Sequence, residues 1–172
     1  FPRGELRDYL ALLSKEGVSI AVKPQYIDKL PKIFEGEVNE LLERVDDREE
    51  IDKYSEALGI GHILSRKLGS LSGGELQRVA LCATLLKEAD VYFFDEPSSY
   101  LDIYERMRMV RIIQDLTATG KRVLVVEHDL AILDVLCDLI HVVYGERAAY
   151  GIFTPPRSTR TAINSYLDGF LP

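Results

Sequence analysis

Two apolar runs constrain this chain more than anything else in it: "VYFFD" (91–95) and "RVLVVEH" (122–128). Neither alternates with polar residues, as expected of central strands covered on both faces. Between them "IYERMRMVRIIQDLTATG" (103–120) carries a helical pattern closed by Gly120. Strand, helix and strand at this spacing predict a βαβ unit and therefore a parallel sheet. "VSIAV" (18–22) is a third short apolar, partly β-branched run and predicts another buried strand.

The remaining segments fill in around that sheet. "GELRDYLALLSKE" (4–16) places Leu6, Tyr9, Leu10 and Leu13 at helical spacing. In "KPQYIDKLP", Pro24 and Pro31 forbid continued regular structure. "EVNELLERV" and "IDKYSEALGI" read as short acidic amphipathic helices with Leu41, Leu42, Tyr54 and Leu58 facing inward. "ELQRVALCATLLKE" (75–88) is a strong helix pattern, and "AILDVLCDLI" (131–140) reads as another. "HVVYGERAAYGIF" (141–153) predicts two strands joined by a turn at Gly145, and the tail a last short helix ending at Gly169. The stretch from 26 to about 90 is mostly helical, a lobe set apart from the sheet.

Composition excludes several classes. A formal charge of −7 argues against wrapping nucleic acid through overall charge. No apolar run approaches the roughly 18 residues a membrane span needs. Cys82 and Cys137 have no metal-ligand spacing and sit at apolar positions, so both read as free thiols in a reducing compartment. The N-terminus "FPRGELRDYL" reads as a cut through a longer chain.

The chemistry-bearing residues cluster at turns. A buried strand ending in Asp95 and Glu96 puts two carboxylates at the sheet's carboxyl edge, where open α/β sheets bind ligands. Asp95 suits a Mg²⁺ held through water, and Glu96 suits a general base; an acidic turn before Pro97 is the plainer explanation. In "LSGGELQR" (71–78), Ser72, Gly73 and Gly74 lead into a helix start, where unpaired N–H groups and the helix dipole favour an anion. An N-cap serine before a flexible turn would explain Ser72 and one glycine. His128 closes a strand and could donate to a phosphate, or simply lie at the surface. Gln25 follows the first strand, and "SSYLD" (98–102) could be no more than a helix cap.

In order, Gln25, "LSGGELQR", "VYFFDE", "SSYLD" and His128 resemble the Q-loop, signature, Walker B, D-loop and switch histidine of ABC-type ATPases. The spacing agrees, with 21 residues from Gly74 to Asp95 and 33 from Asp95 to His128. "KPQYID", "YFFDEPSSYLDI", "VLVVEHDLAILD", "HVVYGE" and "YGIF" extend the resemblance over nearly the whole chain. They make it similar to the first nucleotide-binding domain of the ABC-class ribosome-recycling factors, the RNase L inhibitor family. The tyrosine in "SSYLD" is distinctive, because transporter ATPases usually lack it. Arg147 and Ala148 depart from the family, which tends to have proline and glycine there, and "PPRSTRTAIN" is a variant of a lysine-containing stretch.

The resemblance implies a P-loop NTPase-like α/β fold, a parallel sheet between helices with a helical signature lobe, present here as part of a domain. Residues 1–17 would end a helix–loop–helix insertion and 18–25 form a core strand and Q-loop. The signature lobe would cover 26–90, and 91–172 would run from Walker B to the end of the core. It implies ATP and Mg²⁺ as cofactors, with Glu96 and His128 catalytic and Gln25 and Asp95 at the metal. Leu71, Ser72, Gly73, Gly74, Glu75, Gln77 and Arg78 would bind ATP together with Gln25 and Asp95, while Ser99, Leu101 and Asp102 would couple sites. It further implies a cytoplasmic protein acting on the ribosomal small subunit with a release factor, and a second nucleotide-binding domain. An iron–sulfur domain would lie outside these residues.

No phosphate loop of the GxxxxGK[ST] kind occurs in the sequence. In the family's head-to-tail arrangement, Gln25, Asp95, Glu96 and His128 serve one ATP, and Ser72, Gly73 and Gly74 serve another. The chain alone is therefore expected not to hydrolyse ATP. A transporter's ATPase subunit and a catalytically silent interaction module are the competing readings. The first would need a transmembrane partner and a hydrophobic groove; the second would leave Glu96 and His128 idle.

Overall fold

The computed structural model describes residues 17–146 and 148–169. The helix expected over 4–16 and the departure at Arg147 lie outside them. The chain divides into two compact units, one running to Val126 and the other starting at Glu127.

The first unit holds a three-stranded sheet of β1 (Ile20–Lys23), β2 (Val91–Asp95) and β3 (Arg122–Val126), in the order β1-β2-β3. All pairs are parallel, with Ala21 opposite Tyr92 and Phe94 opposite Val125. The βαβ expectation holds: α5 (Ile103–Ala118) connects β2 to β3 and packs on β3. Its start is fixed by Asp102, whose side chain accepts from Tyr104 and Glu105 N–H, and its end by Gly120 at φ 85°.

Cover on both faces is corrected. Ala21, Lys23, Tyr92 and Phe94 share one face and are buried, but Ile20, Val22, Leu124 and Val126 on the other are 48–60% exposed. An apolar strand records a need for cover on each side, not which residues supply it. The described residues of this chain cover one side.

Between β1 and β2 lies the helical lobe: α1 (Leu30–Ile33), α2 (Val38–Val45), α3 (Ile51–Ala57) and α4 (Gly73–Leu85), with 3₁₀ turns at Ile27–Lys29, Gly61–Ile63 and Leu68–Ser70. Pro31 begins a short helix here instead of ending one, since the first turn needs no proline N–H. Val38, Leu42, Tyr54, Leu58, Ile60, Ile63 and Leu68 are buried together with Val79, Cys82 and Leu85 of α4. Both α2 and α3 pack on α4. Burial pushes the Cys82 thiol up to about 12 and keeps it neutral.

The second unit contains α6 (Leu130–Leu136), the pair β4 (Leu139–Ile140) and β7 (Arg157–Ser158), the hairpin of β5 (Val143–Glu146) and β6 (Tyr150–Phe153), and α7 (Thr159–Leu167). The helix expected over 131–140 stops at Leu136. Cys137 is already extended, and Leu139 and Ile140 pair with Ser158 and Arg157. The turn expected at Gly145 lies further on, because Gly145 is inside β5 opposite Gly151. Its missing side chain answers a different need: a Cβ there would sit 2.1 Å from the Tyr150 carbonyl oxygen.

Candidate functional site

The carboxyl edge of the sheet carries a polar network centred on Glu96. As β2 ends, Glu96 turns into the left-handed region at φ 46°, which costs a non-glycine residue about 1–2 kcal/mol. The backbone is held there from several sides. The Glu96 N–H donates to the Val126 carbonyl at 2.8 Å, and its own carbonyl accepts from Lys23 Nζ at 3.2 Å and Gln77 Nε2 at 3.0 Å. Lys23 Nζ also donates to the Asp95 carbonyl at 2.8 Å, and Gln77 Nε2 to the Pro97 carbonyl at 2.8 Å.

The carboxylate of Glu96 is aimed as firmly as its backbone. Gln25 Nε2 donates to Oε1 at 2.9 Å and Ser99 Oγ to Oε2 at 3.3 Å. Gln25, Glu96 and Ser99 thus meet as side chains around one carboxylate, with Asp95 beside them at the end of β2. Gln25 donates through its nitrogen, which leaves an amide oxygen for another partner. Among the described residues no group of three His, Cys, Asp or Glu side chains could hold a metal. The oxygen donors of Gln25 and Asp95 nevertheless fit Mg²⁺, which keeps water and phosphate oxygens among its ligands and needs few from protein.

The signature turn is built differently. Ser72 caps α4: its Oγ accepts from Glu75 N–H at 3.3 Å, and Glu75 Oε2 accepts from Ser72 N–H at 2.7 Å. Arg66 Nη1 pairs with Glu75 Oε1 at 2.7 Å. The Ser72 N–H, then the Ser72 hydroxyl and Arg66, hold the Glu75 carboxyl below the usual range despite some burial. Leu71 leads in, its N–H donating to the Leu68 carbonyl at 3.2 Å. Gly73 and Gly74 abut Tyr100, itself left-handed at φ 65°. A Cβ on Gly73 would lie 3.1 Å from the Tyr100 ring, and one on Gly74 would lie 2.9 Å from the Tyr100 carbonyl oxygen.

Three expected ATP contacts take other partners: Glu75, whose carboxylate serves Ser72 and Arg66, and Gln77 and Arg78. Gln77 is fully buried, so its side chain serves Glu96 and Pro97 and presents nothing to a nucleotide. Arg78 donates to the carbonyls of Gly74, Leu58 and Gly59 and pairs with Glu105 at 3.1 Å. Gln77 is buried and Arg78 is half-buried, so neither side chain is open at the start of α4 where Ser72 and Gly73 are exposed.

Of the coupling residues, Ser99 bonds Glu96, Leu101 is buried, and Asp102 caps α5. His128 belongs to the second unit, exposed on the turn before Asp129, which caps α6. Lys23 is the residue that sequence reading missed. It is fully buried, with its Nζ on the Asp95 and Glu96 carbonyls; a lone lysine closing an apolar strand just before Pro24-Gln25 was the available signal.

Residues 7–99, more than half of the chain, match the ABC transporter family (ABC_tran), and the chain belongs to that family. Translation initiation factor RLI1 of Saccharomyces cerevisiae is 41% identical over 177 residues, covering 100% of this chain and 29% of that protein. The complex of the archaeal ribosomal stalk protein aP1 with the archaeal ribosome recycling factor aABCE1 contains a chain that superposes with a TM-score of 0.92. That chain is 52% identical, over 98% of this chain and 33% of its own length. A chain of ribosome-bound archaeal Pelota and ABCE1 superposes at 0.93 and 52% identity, over 99% of this chain and 29% of its own length. The close homologues are thus RLI1, ABCE1 and RNase L inhibitor proteins, as the motifs suggested. The chain spans a third or less of the length of these relatives.

Proposed function

We propose that this chain is part of a cytoplasmic ATPase that couples ATP binding and hydrolysis to separation of the ribosome into subunits, acting with the small subunit and a release factor. The Glu96 arrangement carries this reading: a carboxylate at a sheet edge, held in a strained backbone and aimed by Gln25 and Ser99. Preorganised groups of this kind are what hydrolysis of a phosphoanhydride by water demands. ATP with Mg²⁺ supplies the electrophilic γ-phosphate. Glu96 accepts a proton from the attacking water, and Gln25 and Asp95 offer oxygen ligands to the ion; His128 keeps the role that the resemblance implies, a phosphate donor. Ser72, Gly73 and Gly74 offer N–H groups at the start of α4 to a second ATP held by another nucleotide-binding domain. The tyrosine of "SSYLD" and the ribosomal relatives favour this reading over a transporter subunit.

Glu96→Gln in the full-length protein tests it. An amide keeps the shape and loses the base, so kcat should fall about 10²–10⁴-fold, while ATP binding persists and the protein accumulates on small subunits. Wild-type turnover, or wild-type release from small subunits, overturns the assignment.

A further inference from the structure

Gln77 is a costly choice for a core position. Its Nε2 donates to two main-chain carbonyls, but its Oε1 is buried with no hydrogen-bond partner among the described residues. A buried acceptor left unmade costs free energy that leucine at the same place would not. What leucine could not supply is the pair of hydrogen bonds to the Glu96 and Pro97 carbonyls.

Gln77 lies one turn inside α4 from Gly73, on the same 13-residue helix whose first turn carries the signature. It grips the Glu96 and Pro97 carbonyls, at the start of the 96–100 loop. The far end of that loop meets the same helix, where the Tyr100 carbonyl packs on Gly74. Ser99, next to Tyr100, donates to the Glu96 carboxylate. The first two turns of α4 therefore hold the base-bearing loop at both ends. Glu96 is left-handed and near no broad minimum, so a small shift of its carbonyl re-aims its carboxylate.

We infer that Gln77 is a positioning residue for hydrolysis: it carries the position of the signature turn to Glu96, so that engagement of one ATP sets the base serving the other. This rests on the reading of Glu96 as the base and of Ser72–Gly74 as facing a different nucleotide.

The test uses Gln77→Met and Gln77→Leu in the full-length protein, with Glu96→Gln alongside. Both Gln77 variants fill the space and remove the donors. At saturating ATP, kcat should fall about 10-fold or more, while the KM for ATP stays within about threefold, as expected when a group acts in the transition state only. ATP-driven closure, followed by energy transfer between labelled domains, should be unchanged. A wild-type kcat, a KM rising in proportion to any loss, or unfolding of both variants by circular dichroism overturns the inference, because each makes Gln77 idle, a binding group or a structural one. If Glu96→Gln stops turnover while Gln77→Met keeps it, only this inference fails. If Glu96→Gln turns over normally, the assignment of the base fails and takes this inference with it.

Discussion

The two motifs of the first unit that we propose as half-sites are held in opposite ways. Around Glu96, side chains from β1, the segment after it, α4 and the loop itself converge on one residue, and two of them, Lys23 and Gln77, are fully buried. Around Ser72–Gly74 the chain supplies one capping box, Arg66 on that box, Arg78 on the Gly74 carbonyl, and the packing of Tyr100. Ser72 and Gly73 are exposed. A base must be aimed before substrate arrives, since reorganising it during the reaction raises the barrier. On the proposed reading, a turn that receives a phosphate from another domain must stay open, so its own chain can brace it only from behind. The braced half should tolerate little change of donor; the open half should tolerate little added bulk or charge.

Gly74→Asp presses hardest on the open half. Its side chain adds a negative charge where the helix start would meet a phosphate, and Coulomb repulsion at about 4 Å costs on the order of 1–4 kcal/mol between water and a protein surface. A second cost is visible in the structure: the new Cβ would meet the Tyr100 carbonyl oxygen at 2.9 Å and lie 3.8 Å from Glu105 Oε2. Because the 2.9 Å neighbour is backbone, it cannot swing aside as a ring would. ATP-driven closure of the full-length protein should weaken at least tenfold, read by energy transfer between domains. Gly73→Ala is the sharper companion, since its Cβ meets only the side chain of Tyr100, which is 71% exposed and can move. If Gly73→Ala closes normally and Gly74→Asp does too, the signature turn is not a nucleotide surface.

What could be read in advance separates along the same line. At the open half the N-cap role of Ser72 was legible because it is local, while the part of Glu75 in the capping box, three residues on, was taken for an ATP contact. Asp95 and Glu96 were legible as the end of an apolar strand. The brace was not. Lys23 and Gln77 reach residues 72–73 and 19–20 positions away, and nothing in their own neighbourhoods fixes which way they point. Misread boundaries have a related cause. "LCDLI" satisfies helical and extended patterns alike, and the pairing of Leu139 with Ser158 decides between them. At Gly145 a glycine that suggested a turn is there for close approach of the facing strand.

Asp102 sharpens the comparison, because its carboxylate caps α5 and is also proposed to couple the two halves. As a cap, its Oδ1 accepts from Tyr104 and Glu105 N–H at 2.9 Å each. Loss of such a cap costs about 1 kcal/mol, so Asp102→Ala should lower the first thermal transition of the full-length protein by a few degrees. Asp102→Asn retains an accepting oxygen and should restore the transition. Its ATPase rate then isolates the second role: a rate that falls while the melting point is restored marks a carboxylate needed across the domain interface. A rate that follows the melting point in both variants marks a cap and nothing more.

The smallest expected effect is the pH response of the box that braces the open half. Hydrogen bonds from the Ser72 N–H and hydroxyl, with Arg66 beside them, hold the folded Glu75 carboxyl below the ordinary glutamate value of about 4.3. A carboxyl lowered by folding stabilises the folded form fully above its unfolded value, and that contribution disappears as pH falls through the lowered folded value. The turn should thus be firmest at neutral pH and loosen only in acid. Glu75→Gln removes the titration and the pairing with Arg66. Hydrogen exchange of the 71–77 segment, taken as the ratio of variant to wild type at each pH, should show the wild type better protected near pH 7. The two should converge only in acid, once pH has fallen through the lowered folded value and the wild-type carboxyl, now protonated, no longer differs in charge from the amide. A ratio independent of pH would mean that the hydrogen-bond geometry of the box, and not its charge, keeps the signature turn in place.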